Sequence, residues 1–328
     1  MATGFLYDPR YLLHHTTHLP ETSARLEFLL NHLAATGLLE KLVRVAPRRA
    51  ELATVRLVHP EAYLRWLRAA VASGRHNLPT DDVELSAESY NTALLAVGGV
   101  LAMCDAVLTR KVANGFCAVR PPGHHAEASK AMGFCLLNNV AIAARYLQKK
   151  HHQKKIAIVD WDLHHGNGTQ AIFESDPSVL FISLHEHPSF LYPGTGYAWE
   201  KGTGPGEGFT LNIPMQPEAD DADYQAAFTL YVLPALRKFA PDVLLISAGF
   251  DAHAHDPLGH LRLSSVGYAW MTRQLKNIAH TFCGGRLISV LEGGYNLQAL
   301  AWSVQTHLEV LSEPTPEEAL ADMKAGLY

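Results

Sequence analysis

The sequence has little cysteine, and Cys104, Cys117, Cys135 and Cys283 form no C-x-x-C pair. A thiolate zinc finger and a disulfide framework are therefore not expected, and a reducing compartment, the cytoplasm, is. Basic excess is also missing. Lys and Arg number 27 against 32 Asp and Glu, a net charge of -5, so no nucleic-acid partner is expected. At 48% hydrophobic and 18% charged, the chain is too apolar to stay disordered. No apolar run approaches the ~20 residues that span a bilayer, and residues 1–15 lack the apolar core of a signal peptide. Neither a membrane nor a leader is expected. Repeats, low-complexity tracts and Ser/Gly linkers are absent too, which favours one domain over residues 1–328. What is abundant is histidine, at 19 residues, so imidazole chemistry is the first question to ask.

The apolar pattern alternates between two periods. Thr22 and Ser23 are placed to cap a helix carrying Leu26, Leu29, Leu30 and Leu33, and residues 61–72 and 88–110 read as further helices. Four short apolar runs follow, at 155–160, 178–184, 242–247 and 286–291, separated by helical stretches at 138–150, 222–239 and 265–280. Continuous apolar runs bounded by polar residues are what strands buried on both faces look like, so an α/β domain with a mostly parallel sheet is expected. In such a sheet ligands bind beyond the carboxyl ends of the strands. Polar clusters stand at three of the four expected exits: DWDLHHGNG (160–168), AGFDAH (248–253) and EGGYN (292–296).

Asp162 and His164 lie two apart, on one side of an extended segment. With Asp251 from another exit they make a two-carboxylate, one-imidazole set that leaves coordination positions free, as catalytic zinc requires. Taken alone, residues 160–168 also read as a hydrated acidic loop with helix-capping aspartates. In RPPGHHAE (120–127), Pro-Pro-Gly fixes a turn and presents His124 and His125 rigidly, as acid–base chemistry needs. Four His-His pairs occur in the chain. The pair at 151–152, inside a lysine-rich stretch, reads as a solvated helix end, and 14–15 as surface. Gly293 and Gly294 allow close backbone approach and aim the Tyr295 phenol inward, where it could hold an oxyanion. Residues 201–208 are glycine-rich but lack the G-K-[ST] ending of a phosphate loop and run into a strand-like stretch, so they read as a flexible rim.

These segments resemble the zinc-dependent histone deacetylases. The ordered series is HTTHLPETSARL (15–26), RPPGHHAE, GFCLLNN (133–139), DWDLHHGNGT (160–169), PGTG (193–196), GFDAHAHDPLG (249–259) and EGGYN. The resemblance implies the single-domain arginase/deacetylase fold, with the site at the carboxyl ends of the strands, and hydrolysis of an acetamide. It implies zinc on Asp162, His164 and Asp251, His124 and His125 as the acid–base pair, and Tyr295 donating to the acetyl oxygen. Asp160 would orient His124. Asn167 would face His125, where class I members carry Asp; Asn there, with His-Ala-Glu from His125, resembles class II, in a compact bacterial-type form. A neutral amide should stabilise protonated His125 less than a carboxylate would, so unequal pKa values are expected for the two imidazoles. Which of them is the base stays open.

The same resemblance implies a narrow tunnel for a lysine-like chain, lined by Gly133, Phe134 and Tyr192, the last a departure from the usual Phe. Leu258, Gly293 and Asp81 complete the expected substrate contacts. Structural potassium is implied at Asp160, Asp162, His164, Ser183 and Leu184, and at a second set, Phe173, Asp176, Val179 and Phe209. The expected partner is an acetylated peptide, protein or small amine, with homo-oligomerisation left open. An acetylpolyamine deacetylase is the nearest rival, but Leu258 offers no charge for a secondary ammonium where such enzymes often carry an acid. A two-manganese hydrolase would want another carboxylate where His253 stands. An acetyl-lysine-binding pseudoenzyme would not need the full set of ligands, imidazoles and Tyr295.

Overall fold

Eight parallel strands form one sheet in the computed structural model, which describes residues 2–78, 80 and 82–314. In chain order they are β1 (Gly4–Leu6), β2 (Val43–Val45), β3 (Gly115–Cys117), β4 (Ile156–Asp160), β5 (Val179–Glu186), β6 (Thr210–Met215), β7 (Val243–Ala248) and β8 (Leu287–Leu291). Across the sheet the order is β2-β1-β3-β8-β7-β4-β5-β6. The expected apolar runs are β4, β5, β7 and β8, and every residue of these four strands is buried. Fully burying one Val, Leu or Ile side chain stabilises by about 1.5–3 kcal/mol. Slipping such a strand by one residue would move its side chains to the other face, so its register is fixed by packing. Asp160 pairs with Ser183 on one side and Ser247 on the other, which aligns the carboxyl ends of β5, β4 and β7.

Four strands were not expected as such. β1, β2 and β3 have three residues each, too short for a periodic signal. β6, which contains the strand-like stretch after the glycine-rich rim, is an edge strand, where its Pro214 is tolerated. β3 matters for the candidate site, because RPPGHH begins just beyond it, after Ala118 and Val119. The two imidazoles therefore also stand at a strand exit.

Most helices lie where the pattern put them: Glu61–Ala72, Ser89–Leu108, Asn139–His151 and Ser265–Cys283. Three points differ. Ser23 occupies the cap position of Ala24–Ala35, but its backbone is already helical and its side chain makes no capping bond. The expected single helix over 222–239 is divided into Asp221–Ala227, a π-turn at Phe228–Val232, and Leu233–Phe239. Pro234 supplies no N–H, so the regular i to i−4 ladder cannot run through. Finally, Ser89–Leu108 is long and apolar enough to cross a membrane, against the expectation that no run was. It packs instead on the sheet and on Asn139–His151, with nearly every residue buried.

Candidate active site

The exits of β3, β4, β7 and β8 converge. The chain runs outward from β4 through β5 to β6, then returns to the other side of β4 with β7. That reversal is where an open parallel sheet leaves a crevice at its carboxyl end.

Asp162 and His164 lie on the turn after β4 and Asp251 on the turn after β7, all three buried. One ligand-type atom from each falls within 4.8 Å of the others. His164 Nδ1 stands 3.1 Å from both Asp162 Oδ1 and Asp251 Oδ2. The backbone locks this arrangement, because Leu163 N donates to Asp251 Oδ1 at 2.8 Å and Gly293 N to Asp162 Oδ2 at 2.8 Å. A Cβ on Gly293 would come 2.1 Å from Asp251 and 2.6 Å from Asp162, so only glycine fits against the two carboxylates. Two buried carboxylates and an imidazole nitrogen aimed at one point suit a divalent cation of zinc type. Among the described residues no other group of three or more such side chains meets in this way. His253, two residues beyond Asp251, takes no part in it; its Nδ1 accepts from His255 N.

The electrostatics of the triad follow from burial. Burial works against both carboxylates; proximity to His124 and His164 nevertheless holds Asp162 low. Asp251, desolvated and repelled by Asp162, is pushed up. Burial opposes the His164 cation too, but its bonds to the two carboxylates raise it to about 10. In the metal-free chain a proton on His164 thus holds the two acids together.

The imidazole pair lies alongside, ring centroids 4.0 Å apart. His124 Nδ1 is 2.9 Å from Asp160 Oδ2, and its Nε2 is 3.7 Å from Asp162 Oδ1. His125 Nδ1 is 2.7 Å from Asn167 Oδ1. The Asn167 amide donates to Glu127 and to the Met132 sulfur, which leaves its oxygen for His125. His125 therefore carries its proton on Nδ1. Burial alone would depress His124, but Asp160 and Asp162 outweigh it and hold that imidazole well above its ordinary value. Burial, then repulsion from His124 and His164, holds His125 well below. The two imidazoles are unequal in the expected direction.

Tyr295 follows Gly294, whose φ of 121° is open to glycine alone. Its ring is packed edge-on against Phe134 at 5.9 Å, with the Arg25 guanidinium 5.0 Å over its face. Burial pushes the phenol well above its usual value, so it remains a donor.

At the mouth, Tyr192 sets its ring edge-on to His125 at 5.2 Å and to His164 at 6.3 Å. Gly133 and Phe134 are both left-handed, and a Cβ on Gly133 would strike the His125 ring at 2.2 Å. Leu258 is half-buried. Asp81 lies outside the described residues. Its neighbour Asp82 was not anticipated, yet it ties the rim together: Oδ2 accepts from Gly133 N and from the Tyr192 hydroxyl, both at 2.8 Å. The other oxygen, Oδ1, is buried and has no partner among the described residues. Nothing in Thr80-Asp81-Asp82 distinguishes the two acids before folding.

Two further residues shape the site without having been expected to from the sequence. Glu292, quoted for its position before Gly-Gly-Tyr, accepts from Gly123 N at 2.6 Å and His124 N at 3.1 Å, and so holds the imidazole turn. An acid ending an apolar strand was the available signal. Arg25, in the opening motif, donates to the Glu292 carbonyl at 2.6 Å and the Gly294 carbonyl at 2.7 Å. The residues proposed for potassium fall into two places. Ser183 and Leu184 lie in β5 beside Asp160. Phe173, Asp176, Val179 and Phe209 gather at the opposite, amino end of β5 and β6.

The histone deacetylase domain family matches residues 19–311. Over 302 residues the chain is 42% identical to a "Probable deacetylase" of Archaeoglobus fulgidus, covering 91% of this chain and 82% of that one. "Histone deacetylase 6" of Caenorhabditis elegans is 40% identical over 97% of this chain, and "Histone deacetylase 7" of Homo sapiens 38% over 91%. The chain spans only about a third of those two proteins, 34% and 35%. Among solved structures, the HDA15 HD domain superposes with a TM-score of 0.89 at 38% identity, covering 98% of this chain and 92% of that one.

Proposed function

The chain belongs to the histone deacetylase family, a family of hydrolytic deacetylases, and from that premise we propose that it removes acetyl groups from the ε-amine of acetyl-lysine in peptides or proteins. The observation that carries the reading is the buried Asp162–His164–Asp251 triad with the His124 and His125 imidazoles against it, under a rim where the half-buried Tyr295 packs on Phe134.

The triad would hold zinc, which when bound supplies Lewis acidity for a carbonyl oxygen and for water. The phenol of Tyr295 donates to the acetyl oxygen and steadies the negative charge that develops there. His125, neutral with Nδ1–H on Asn167, offers its Nε2 lone pair to take a proton from the attacking water. His124, cationic against Asp160, supplies a proton to the departing amine. One water is consumed, and acetate and amine leave. Phe134 and Tyr192 would flank the path of a methylene chain, and the Asp82 carboxylate, tied to the Gly133 amide and the Tyr192 hydroxyl, would hold that rim in place. Potassium at the two sets around β5 would be structural. The four cysteines, all free and buried, suit a cytoplasmic setting.

One observation favours the rival substrate: a carboxylate such as Asp82 also attracts a secondary ammonium. Leu258, uncharged, argues the other way. Comparing kcat/KM for an acetyl-lysine peptide and for acetylspermidine decides the matter. The peptide is expected to be preferred, and a strong polyamine preference would overturn the assignment. Replacing Tyr295 with Phe should lower kcat by about 10²–10³, with metal content retained.

A further inference from the structure

Asp256 stands in the loop between Asp251 and Leu258 and is 7% exposed. Its two oxygens face in different directions. Oδ2 accepts from Tyr295 N at 2.6 Å and from Asn296 N at 3.1 Å, across 39 and 40 residues of sequence. Oδ1 accepts from Leu258 N at 3.1 Å, and the residue's own N–H donates to the His253 carbonyl at 2.8 Å. One carboxylate thus gathers three backbone amides, two from the Tyr295 turn and one from the rim.

The Tyr295 turn needs such an anchor. Gly293 and Gly294 give it close approach to the triad but no stiffness of their own. Arg25 fixes the carbonyls of Glu292 and Gly294, so the backbone before the tyrosine is held. The amide of Tyr295 itself is held by Asp256 alone among the described residues. A misplacement of about 1 Å in a reacting group can cost about a hundredfold in rate, so what holds this amide decides whether the phenol reaches the acetyl oxygen.

We propose that Asp256 is a positioning residue that sets the Tyr295 phenol and couples it to the rim at Leu258, so that the loop gripping the acyl-lysine chain and the oxyanion donor share one anchor. This rests on the deacetylase reading above. An asparagine at 256 has a single carbonyl oxygen, and whichever way its amide lies, its NH₂ confronts one of the backbone donors. One arm of the coupling must break.

The test measures the zinc-loaded wild type, Asp256→Asn, Tyr295→Phe and the double variant on an acetyl-lysine peptide, with metal content and amide hydrogen exchange alongside. Asp256→Asn should lower kcat by about tenfold to about a hundredfold, as expected for losing a bond to a charged acceptor, with KM and zinc content little changed. In the Tyr295→Phe background the same change should cost nothing further. Exchange should quicken together over residues 254–260 and 292–298. Should Asp256→Asn cost the same factor in both backgrounds, or leave exchange over 292–298 untouched, Asp256 is a general structural acid and the proposal fails. A wild-type chain that turns over no acetamide sinks the deacetylase reading and this proposal with it, whereas an active wild type with multiplicative losses sinks the proposal alone.

Discussion

Among the described residues, two clusters of buried charge are built in opposite ways. In the first, Glu21 sits between Arg25 and Arg120 and takes Nη1 of Arg25 at 2.9 Å and Nη2 of Arg120 at 2.8 Å. Arg120 Nε also donates to the Glu21 carboxylate, and other guanidinium donors reach the carbonyls of Tyr11, Glu21, Glu292 and Gly294. Burial opposes the charge on Glu21, but the two guanidiniums overcome it and hold the carboxyl at about 2. In the second cluster Asp160, Asp162, Asp251 and Glu292 meet imidazoles and backbone amides but, among the described residues, no Lys or Arg ion pair, and burial pushes Glu292 up to about 7. The first cluster is complete in the polypeptide. The second carries more acid than its own residues neutralise, and the difference fits a scaffold in the first and a candidate seat for a cation in the second.

The largest expected effect comes from filling or emptying that seat. Chelation should abolish deacetylation and zinc should restore it. The metal must also displace the proton of His164, whose pKa of about 10 keeps it protonated at neutral pH. Binding at pH 7 should therefore release protons, read as a dependence of the calorimetric heat on the ionisation enthalpy of the buffer. Without metal, the stability contributed by His164 is full below its ordinary 6.5 and is lost as pH rises through about 10. Glu292, raised from 4.5 to about 7, acts in the same sense over a lower window. The metal-free chain should thus lose stability from this cluster as pH rises, and urea midpoints at pH 5 and pH 9 would test the slope. No proton release on zinc binding would contradict the protonated triad.

The next effect breaks the complete cluster. Asp and Glu partners of buried cations cannot be removed cheaply, and Glu21→Gln leaves two guanidiniums short of charge, which costs about 3–5 kcal/mol. The pH sense is reversed here. The contribution of Glu21 is present above 4.5 and is lost as pH falls through about 2. The variant should be destabilised at pH 7 and show a flatter decline into acid. A variant as stable as wild type would mean the two arginines are satisfied by backbone carbonyls alone.

The two clusters also differ in how far the sequence declares them. The proposed catalytic cluster is legible because its members stand at or just beyond the ends of continuous apolar runs, so strand and site are read together: Asp160 to His164 from the last residue of β4, Asp251 after β7, Tyr295 after β8. RPPGHH was legible by its prolines, although β3 before it, only Gly115–Cys117, was not. Arg25 and Asp256 declare nothing locally, and Glu292 only that an acid ends an apolar run. Arg25 meets Gly294 across 269 residues, and each of these side chains works by holding backbone groups that only the fold brings near. Asp82 is the same kind of case: its carboxylate is brought into use by where Gly133 and Tyr192 arrive.

The smallest effect is expected within the catalytic cluster, at the one position where an amide stands beside an imidazole. Asn167→Asp places a carboxylate at the 2.7 Å contact with His125 Nδ1. That favours the imidazolium, so the His125 pKa rises and less free base remains at neutral pH. The acidic limb of kcat/KM should move to higher pH, and NMR titration should bring the two imidazoles closer together. The shift will be partial for a reason visible at the other side of the amide. Asn167 Nδ2 donates to Glu127 Oε1 at 3.4 Å, and an aspartate there would oppose that carboxylate, so part of the new charge is lost to proton uptake by the acidic pair. Adding Glu127→Gln restores a donor to that side and should enlarge the shift. An unchanged His125 pKa in both variants would show that burial and its cationic neighbours, and not the partner on Nδ1, decide its charge.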